Sequence, residues 1–197
     1  MELPLVVIVG RPNVGKSSLL NMLAREQISI VDPRAGITRD RVTALIENER
    51  GWFELIDTGG IGMVDDQQLD AHVHQQIDFA IERANVVLFV VDVLQGLTPL
   101  DNEIAQRLRK LNLPVILLAN KADHHTHEYD AADLERMGFG PAQPVSALHS
   151  YGRDAIFEQI FAHLPDAPTE APELPAMKLA IVGKRNAGKS TLVNALA

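Results

Sequence analysis

Short apolar runs alternate along this chain with stretches whose apolar residues recur at helical spacing. Each apolar run has the length of a β-strand, and each stretch of the second kind has the periodicity of an amphipathic helix. The pattern predicts strands at residues 5–9, 42–46, 52–56, 86–91, 115–119 and 142–145. It predicts helices from residue 18 to about residue 25 and at about residues 71–84, 100–111 and 153–164, with one short helix between residues 124 and 140.

The order of these elements predicts a doubly wound α/β fold. Residues 86–91 are uniformly apolar, as expected for a strand that is buried on both faces of a parallel sheet. Residues 42–46 and 52–56 are separated by a short polar stretch and predict an antiparallel hairpin. We therefore expect a mostly parallel six-stranded sheet with one antiparallel edge strand and right-handed crossovers. In such a sheet, ligands bind beyond the carboxyl ends of the strands.

Composition narrows the range of partners. Hydrophobic residues make up 46% of the 197 residues, which is ample for a core. The formal net charge of −8 provides no electrostatic footprint for nucleic acid or an anionic membrane, so we expect this chain to bind neither directly. The sequence has no cysteine, which excludes disulfides, thiol catalysis and cysteine-based zinc sites. With no apolar run long enough to cross a bilayer, the sequence favours a soluble cytoplasmic protein.

A glycine-rich stretch lies where the first strand should turn into the first helix. It reads Gly10-Arg11-Pro12-Asn13-Val14-Gly15-Lys16-Ser17 and is followed by Ser18. Glycines allow backbone N–H groups to surround an anion, and the N-terminus of the following helix adds partial positive charge. Lys16 would reach the outer phosphates of a nucleotide, and the Ser17 hydroxyl would bind Mg²⁺. This pattern, in this context, predicts a phosphate-binding loop.

A second stretch, Asp57-Thr58-Gly59-Gly60, ends the strand predicted at residues 52–56. Its carboxylate would hold Mg²⁺ through water, and a glycine N–H would meet a terminal phosphate. An ordinary turn after a strand would also explain these residues, so they gain weight only from the stretches around them.

Two further stretches at strand ends predict which base is bound. In Asn120-Lys121-Ala122-Asp123, the Asp123 carboxylate would pair with N1–H and the exocyclic amine of guanine, whereas adenine would leave this carboxylate unpaired. Lys121 would lay its methylenes over the base, and Asn120 would tie this loop to the phosphate loop. Backbone N–H groups of Ser146-Ala147-Leu148 would meet the base oxygen. The predicted ligand is therefore a guanine nucleotide, GTP or GDP.

The end of the chain repeats its beginning. Residues 165–175 contain four prolines and three acidic residues, a composition typical of an extended linker. The segment after it aligns without a gap on residues 6–24, and Gly183 to Ser190 repeats the glycine-rich stretch. We expect a first domain at residues 1–164, an acidic proline-rich linker at 165–176, and the truncated start of a second domain at 177–197. One strand and one helix cannot close a core, so the chain is expected to be a fragment.

In their order, these four stretches and Thr38, which lies between the first two, resemble the five motifs of translation-factor-class GTPases of the Era-like group. The tandem copy is similar to the bacterial double-domain members of that group. The resemblance implies a P-loop NTPase G domain that hydrolyses GTP to GDP and phosphate, with Mg²⁺ bound by Ser17, Thr38 and Asp57. It assigns catalytic roles to Lys16, Thr38 and Gly60. In the GTP-bound state, the Thr38 carbonyl would help to orient the attacking water.

The resemblance also implies a wider setting for the intact protein. The similarity to the double-domain members implies that the intact protein acts in the cytoplasm in assembly of the large ribosomal subunit. It also implies a second G domain and a C-terminal KH-like domain, which are incomplete or missing here. Two segments, at residues 28–41 and 57 to about 70, would change with the bound nucleotide and be read by a partner.

Ile61 stands where many GTPases carry a glutamine that orients water, so we expect slow intrinsic hydrolysis. K⁺ bound by the Asn13 side chain and the phosphates would supply the positive charge that is otherwise provided by an arginine finger. Arg39 or Arg41 swinging in from the first switch is a rival source of that charge. Three histidines near residue 125 are more simply explained as solvated side chains than as a metal site.

Two other functions remain open at this stage. The chain could be an interaction module that senses GTP or GDP with negligible intrinsic hydrolysis, an alternative that Ile61 makes credible. It could also be the G domain of another Era-like GTPase, in tRNA modification or metal transport, although the second glycine-rich loop argues against this. Phosphate release under multiple turnover would decide the first question, and the full-length gene would decide the second.

Overall fold

A six-stranded sheet is the framework of the computed structural model, which describes residues 3–24, 42–58, 83–124 and 133–172. The elements in chain order are β1 (Leu5–Val9), α1 (Lys16–Leu23), β2 (Val42–Asn48), β3 (Gly51–Asp57), β4 (Val86–Asp92), α2 (Pro99–Leu108), β5 (Val115–Asn120), a 3₁₀ helix (Asp133–Met137), β6 (Gln143–Pro144) and α3 (Arg153–His163). Each of the six strand runs predicted from the sequence contains or overlaps one of these strands.

The strands lie in the order β2-β3-β1-β4-β5-β6. β1 pairs in parallel with β3 and β4, and β5 pairs in parallel with β4 and β6. The edge strand β2 is antiparallel to β3. The prediction of a mostly parallel sheet with one antiparallel edge strand is therefore confirmed. Because β1, β3, β4, β5 and β6 run in the same direction, their carboxyl ends meet at one edge of the sheet.

Alternate side chains of the central strands enter two separate cores. In β1, Val6 and Ile8 pack with α1 and α3, whereas Val7 and Val9 pack on the opposite face with α2 and the 3₁₀ helix. β4 divides its six buried apolar residues between the same two faces. This explains why β4 has an uninterrupted apolar sequence instead of an alternating one, since neither face of the strand is exposed to water.

The structure places some boundaries differently from the sequence pattern. α1 ends at Leu23 instead of about residue 25. α2 begins at Pro99, one residue earlier than expected, because Thr98 caps it: Thr98 Oγ1 accepts from Asp101 N, and Asp101 Oδ2 accepts from Thr98 N. It ends at Leu108, three residues before the expected end. The strand expected at 142–145 is reduced to a two-residue pair at Gln143–Pro144.

The first residues of the predicted linker contact the turn of the β2–β3 hairpin. Trp52 N donates to Pro168 O at 2.8 Å, and Ala167 packs against the core on the α1 and α3 side. The first part of the linker, up to residue 168, therefore packs against the domain. The division into domains at residues 164 and 176 stays a prediction.

Several predicted features lie outside the described residues. These are nearly all of the helix predicted at 71–84, most of the two switch segments, and the second glycine-rich loop. Within the ranges that the structure describes, no helix is both long and apolar enough to span a membrane.

Candidate functional site

The glycine-rich stretch forms a tight loop between β1 and α1 that packs against neighbouring strands. A Cβ atom on Gly10 would lie 2.5 Å from the carbonyl oxygen of Val90 in β4, closer than any side chain tolerates. Gly15 has φ +94°, and a Cβ there would lie 2.3 Å from Asn120 Nδ2. Both positions therefore require glycine. Gly15 is the N-cap of α1 and provides no side-chain cap, which leaves the positive end of the helix available to an anion.

Lys16 is the first residue of α1 and is almost completely buried. Its Nζ donates to Gly10 O at 2.7 Å and to Arg11 O at 2.8 Å, so the ammonium group spans the loop. Burial lowers the pKa of Lys16 to about 8, with the Asp57 carboxylate acting to raise this pKa and the Arg11 guanidinium acting to lower it. Because burial disfavours the charged form of Lys16, this ammonium group is suited to an anionic ligand whose phosphate oxygens would compensate its charge.

Ser17 and Asp57 bring two oxygen ligands together at the end of β3. Ser17 Oγ donates to Asp57 Oδ2 at 2.5 Å, and Asp57 is buried. The next residue, Thr58, is also buried, and its Oγ1 donates to Ile8 O at 2.7 Å, which fixes the end of β3 against β1. A hydroxyl and a carboxylate are the hard oxygen donors that Mg²⁺ prefers. The two residues therefore fit part of a magnesium site.

Asn120 connects three loops through its side-chain amide. Asn120 Nδ2 donates to Val14 O in the phosphate loop at 2.8 Å, and Asn120 Oδ1 accepts from Ala147 N at 3.1 Å. The residue is the last of β5 and is only 2% exposed. The phosphate loop, the Asn120–Asp123 loop and the Ser146–Leu148 loop are thereby held together at the carboxyl edge of the sheet.

Lys121 makes a second connection between these loops. Its Nζ donates to Asn13 O at 3.0 Å and to Asp92 Oδ2 at 2.6 Å. Lys121 and Asn13 both have left-handed backbone conformations, with φ values of 69° and 65°. Non-glycine residues rarely adopt this conformation. Here the hydrogen bond from Lys121 Nζ to Asn13 O joins the two residues that adopt it and stabilises both.

Asp123 is exposed, and its orientation is set by Ser146. Ser146 is completely buried, and its Oγ donates to Asp123 Oδ1 at 2.5 Å and accepts from His149 N at 3.2 Å. Leu148, in the same loop, is 75% exposed. An exposed carboxylate with a fixed orientation beside an exposed apolar residue is suited to recognise a flat polar base.

The structure brings most of the predicted site residues to one edge of the sheet, and their roles there remain predictions. This group comprises Gly10, Arg11, Pro12, Asn13, Val14, Gly15, Lys16, Ser17, Ser18, Asp57, Thr58, Asn120, Lys121, Asp123, Ser146, Ala147 and Leu148. Thr38, Gly59 and Gly60 lie outside the described residues, and so does Ile61.

Two acidic residues at this edge were not predicted from the sequence. Asp92, at the end of β4, binds Lys121. Asp101, in the first turn of α2, pairs with the buried Arg11 through Nε at 3.2 Å. The position of Asp92 after a buried strand was the available signal, because polar residues at that end of a parallel sheet face ligands. For Asp101, the sequence indicated only a role in capping the helix.

The fold and this arrangement of loops are those of a P-loop GTPase domain. The chain belongs to the family described as 50S ribosome-binding GTPase, whose model matches residues 5–121.

Individual relatives agree with this assignment. The chain is 52% identical over 199 residues to the GTPase Der of Rhodopirellula baltica, with 100% of this chain and 44% of that protein covered. It is 43% identical over 197 residues to the GTPase Der of Synechocystis sp., with 100% and 43% covered. A solved structure of an Era variant from Aquifex aeolicus bound to GDP·AlF₄⁻ matches with a TM-score of 0.69 and 32% identity, over 89% of this chain and 63% of that one. The chain spans less than half the length of these curated relatives.

The low pKa of Lys16 predicts a pH-dependent affinity for phosphate groups. Bound phosphates would raise this pKa, so Lys16 takes up a proton on nucleotide binding whenever it is neutral beforehand. The affinity for phosphate groups is therefore highest well below pH 8, where Lys16 is protonated before binding. It falls as the pH rises above about 8, where Lys16 loses its proton in the free protein. Calorimetric titration of GDP at about pH 8.5, in buffers of different ionisation enthalpy, should show uptake of more than half a proton, against much less at about pH 7.

Lys16→Arg is the matched variant, because a guanidinium does not lose its proton in this range. This variant should show no proton uptake at the higher pH. Equal uptake by wild type and Lys16→Arg would mean that another group titrates.

Proposed function

We propose that this domain binds GTP and GDP together with Mg²⁺, hydrolyses GTP to GDP and phosphate, and works as a molecular switch. The observation that carries this proposal is the pair of hydrogen bonds at the Asn120 side chain, one donated to Val14 O and one accepted from Ala147 N. This pair joins the phosphate loop to the loops that would bind the base. Membership of a GTPase family supports it. The solved Era variant, 32% identical, was bound to GDP·AlF₄⁻, which supports guanine nucleotide as the ligand of this fold.

The phosphate end of the site follows from the loop at residues 10–18. Its backbone N–H groups and the N-terminus of α1 would bind the phosphate oxygens. Lys16 would exchange its hydrogen bonds to Gly10 O and Arg11 O for the outer phosphates. Ser17 and Asp57 would hold Mg²⁺ with Thr38, and Mg²⁺ supplies charge neutralisation on the phosphates when bound. The N–H of Gly60 would bind the terminal phosphate.

The base end follows from two loops. The Asp123 carboxylate, oriented by Ser146, would accept hydrogen bonds from N1–H and the exocyclic amine of guanine. The backbone N–H groups at Ala147 and Leu148 would meet the base oxygen, and Ala147 N would share or exchange for it the bond that it now donates to Asn120 Oδ1. The Lys121 methylenes would cover one face of the base.

Slow intrinsic hydrolysis is part of the proposal. Ile61 would replace a water-orienting glutamine with a side chain that cannot hydrogen-bond, so the attacking water depends on the Thr38 carbonyl and on any added cation. The exposed side chain of Asn13 extends from a backbone that is locked in the left-handed conformation and bonded to Lys121. The side-chain amide oxygen of Asn13 would be a suitable ligand for K⁺ beside bound phosphates.

Assembly of the large ribosomal subunit is the proposed setting for the intact protein. The description of the matched family and the Der relatives support it. In this setting the protein would act in the cytoplasm, and a second G domain and a C-terminal KH-like domain would follow this one. Relatives among the iron transporters are only about 21% identical in solved structures, so they support the fold alone.

Base selectivity gives the most direct test of the site. Asp123→Asn should weaken GDP binding by about a hundredfold or more, because the amide presents a donor to the guanine amine. Wild type should bind GDP, release phosphate from GTP under multiple turnover, and ignore an excess of ATP. Asp154→Asn, an exposed residue on α3, should behave as wild type. Equal competition by ATP would contradict the proposal, and GDP binding without phosphate release would favour a nucleotide-sensing module.

Single-turnover hydrolysis in K⁺ and in Na⁺ tests the role of Asn13. Wild type should hydrolyse GTP about tenfold or more faster in K⁺, since the cation stabilises charge that develops in the transition state. Asn13→Ala should lose this difference while keeping the rate in Na⁺. Equal rates for both proteins in both salts would rule out the potassium site, and Arg39→Ala with Arg41→Ala would then test the rival source of charge.

A further inference from the structure

Asp92 is a buried carboxylate that the proposed chemistry of the site does not yet use. It is the last residue of β4 and is 1% exposed. Asp92 Oδ2 accepts from Lys121 Nζ at 2.6 Å, and Asp92 Oδ1 accepts from Leu94 N at 3.0 Å. Each oxygen therefore has its own donor, which fixes the orientation of the carboxylate.

The sheet register explains why this pair forms. Asp92 lies opposite Asn120 in the parallel pair of β4 and β5, and Val93 N donates to Asn120 O at 3.0 Å directly beyond it. Lys121 follows Asn120 and leaves the strand in a left-handed conformation. The last ladder positions of the two strands thus bring the carboxylate within reach of the lysine.

The bond to Asp92 changes what Lys121 can do. A lysine side chain has many rotamers, and holding one of them costs conformational entropy. A charge-assisted hydrogen bond to a buried, already oriented carboxylate offsets that cost. The same Nζ also donates to Asn13 O in the phosphate loop, so the fixed side chain spans from the base-binding loop to the phosphate-binding loop.

We propose that Asp92 is a positioning residue for guanine nucleotide binding that acts through Lys121. Asp92 neutralises the ammonium group and holds the Lys121 stem in place for the base, while the shared Nζ keeps Asn13 in its left-handed conformation. Lys121 then contributes through its methylenes and its bond to Asn13 O, and not as a free cation. This inference rests on the proposed guanine-nucleotide function.

Asp92→Asn is the informative change because it preserves size and shape. Its side-chain oxygen can still accept from Leu94 N, but its amide would present a donor to Lys121 Nζ and release the lysine. GDP affinity, measured by titration on this chain with Mg²⁺, should fall about tenfold. Glu103→Gln removes a half-exposed carboxylate that lies 4.0 Å from Arg107 on α2, and it should leave the affinity unchanged.

A double-mutant cycle separates positioning from a general loss of structure. In the Lys121→Met background, Asp92→Asn should cause less than a twofold further loss, because the residue through which Asp92 acts is gone. Unfolding temperatures of all variants without nucleotide serve as the check on folding. If Asp92→Asn does not fold, Asp92→Ser replaces it in the cycle, since its hydroxyl can still accept from Leu94 N.

The outcomes distinguish this inference from the proposed function. Wild type that fails to bind GDP would overturn the proposed function and this inference with it. Wild-type affinity in Asp92→Asn would overturn the inference alone. A tenfold loss that persists in the Lys121→Met background would also overturn it, because Asp92 would then act without Lys121.

Discussion

The side-chain amide of Asn120 is the constraint on which the arrangement of this site depends. Its donor and its acceptor are used by two different loops, Val14 in one and Ala147 in the other, and both bonds are buried or partly buried. An unpaired backbone group in that position would cost about 1–3 kcal/mol, so each loop is stabilised where Asn120 holds it. Gly15 is required because this amide lies too close for any Cβ. Asn120 thus restricts position 15 of the phosphate loop to glycine and helps to fix the position of the base loop.

Several cations at this edge of the sheet are buried or partly buried and have their charge compensated by nearby groups. Lys16, Lys121 and Arg11 each bring a cation into a buried or partly buried position. Asp92 and Asp101 bind the last two directly, whereas Lys16 bonds two backbone carbonyls and has the Asp57 carboxylate nearby. Burial lowers the pKa of Lys16, and Lys16, which bonds backbone carbonyls, is the cation best suited to bind phosphate. The paired cations instead hold the loops in place.

The sequence predicted the sheet well because buried parallel strands carry a strong local signal. The uniformly apolar β4 and the residues at the carboxyl ends of the strands were sufficient to place the phosphate loop, Asp57 and Asn120 at one edge. The contacts of Asp92 and Asp101 were beyond such reasoning. The Arg11–Asp101 pair joins residues 90 positions apart, and the Lys121–Asp92 bond depends on the register of β4 against β5. Helix ends also shifted by one to three residues, and at the start of α2 the capping by Thr98 decides the boundary.

Asn120 organises the phosphate loop as well as the base loop through its two side-chain hydrogen bonds. Comparing the affinity of wild type and Asn120→Ala for GDP and for pyrophosphate, which has no base, tests this role. Both affinities should fall by about tenfold or more in Asn120→Ala, because Val14 O loses its donor when the amide is removed. A loss confined to GDP, with pyrophosphate bound as tightly as by wild type, would contradict it.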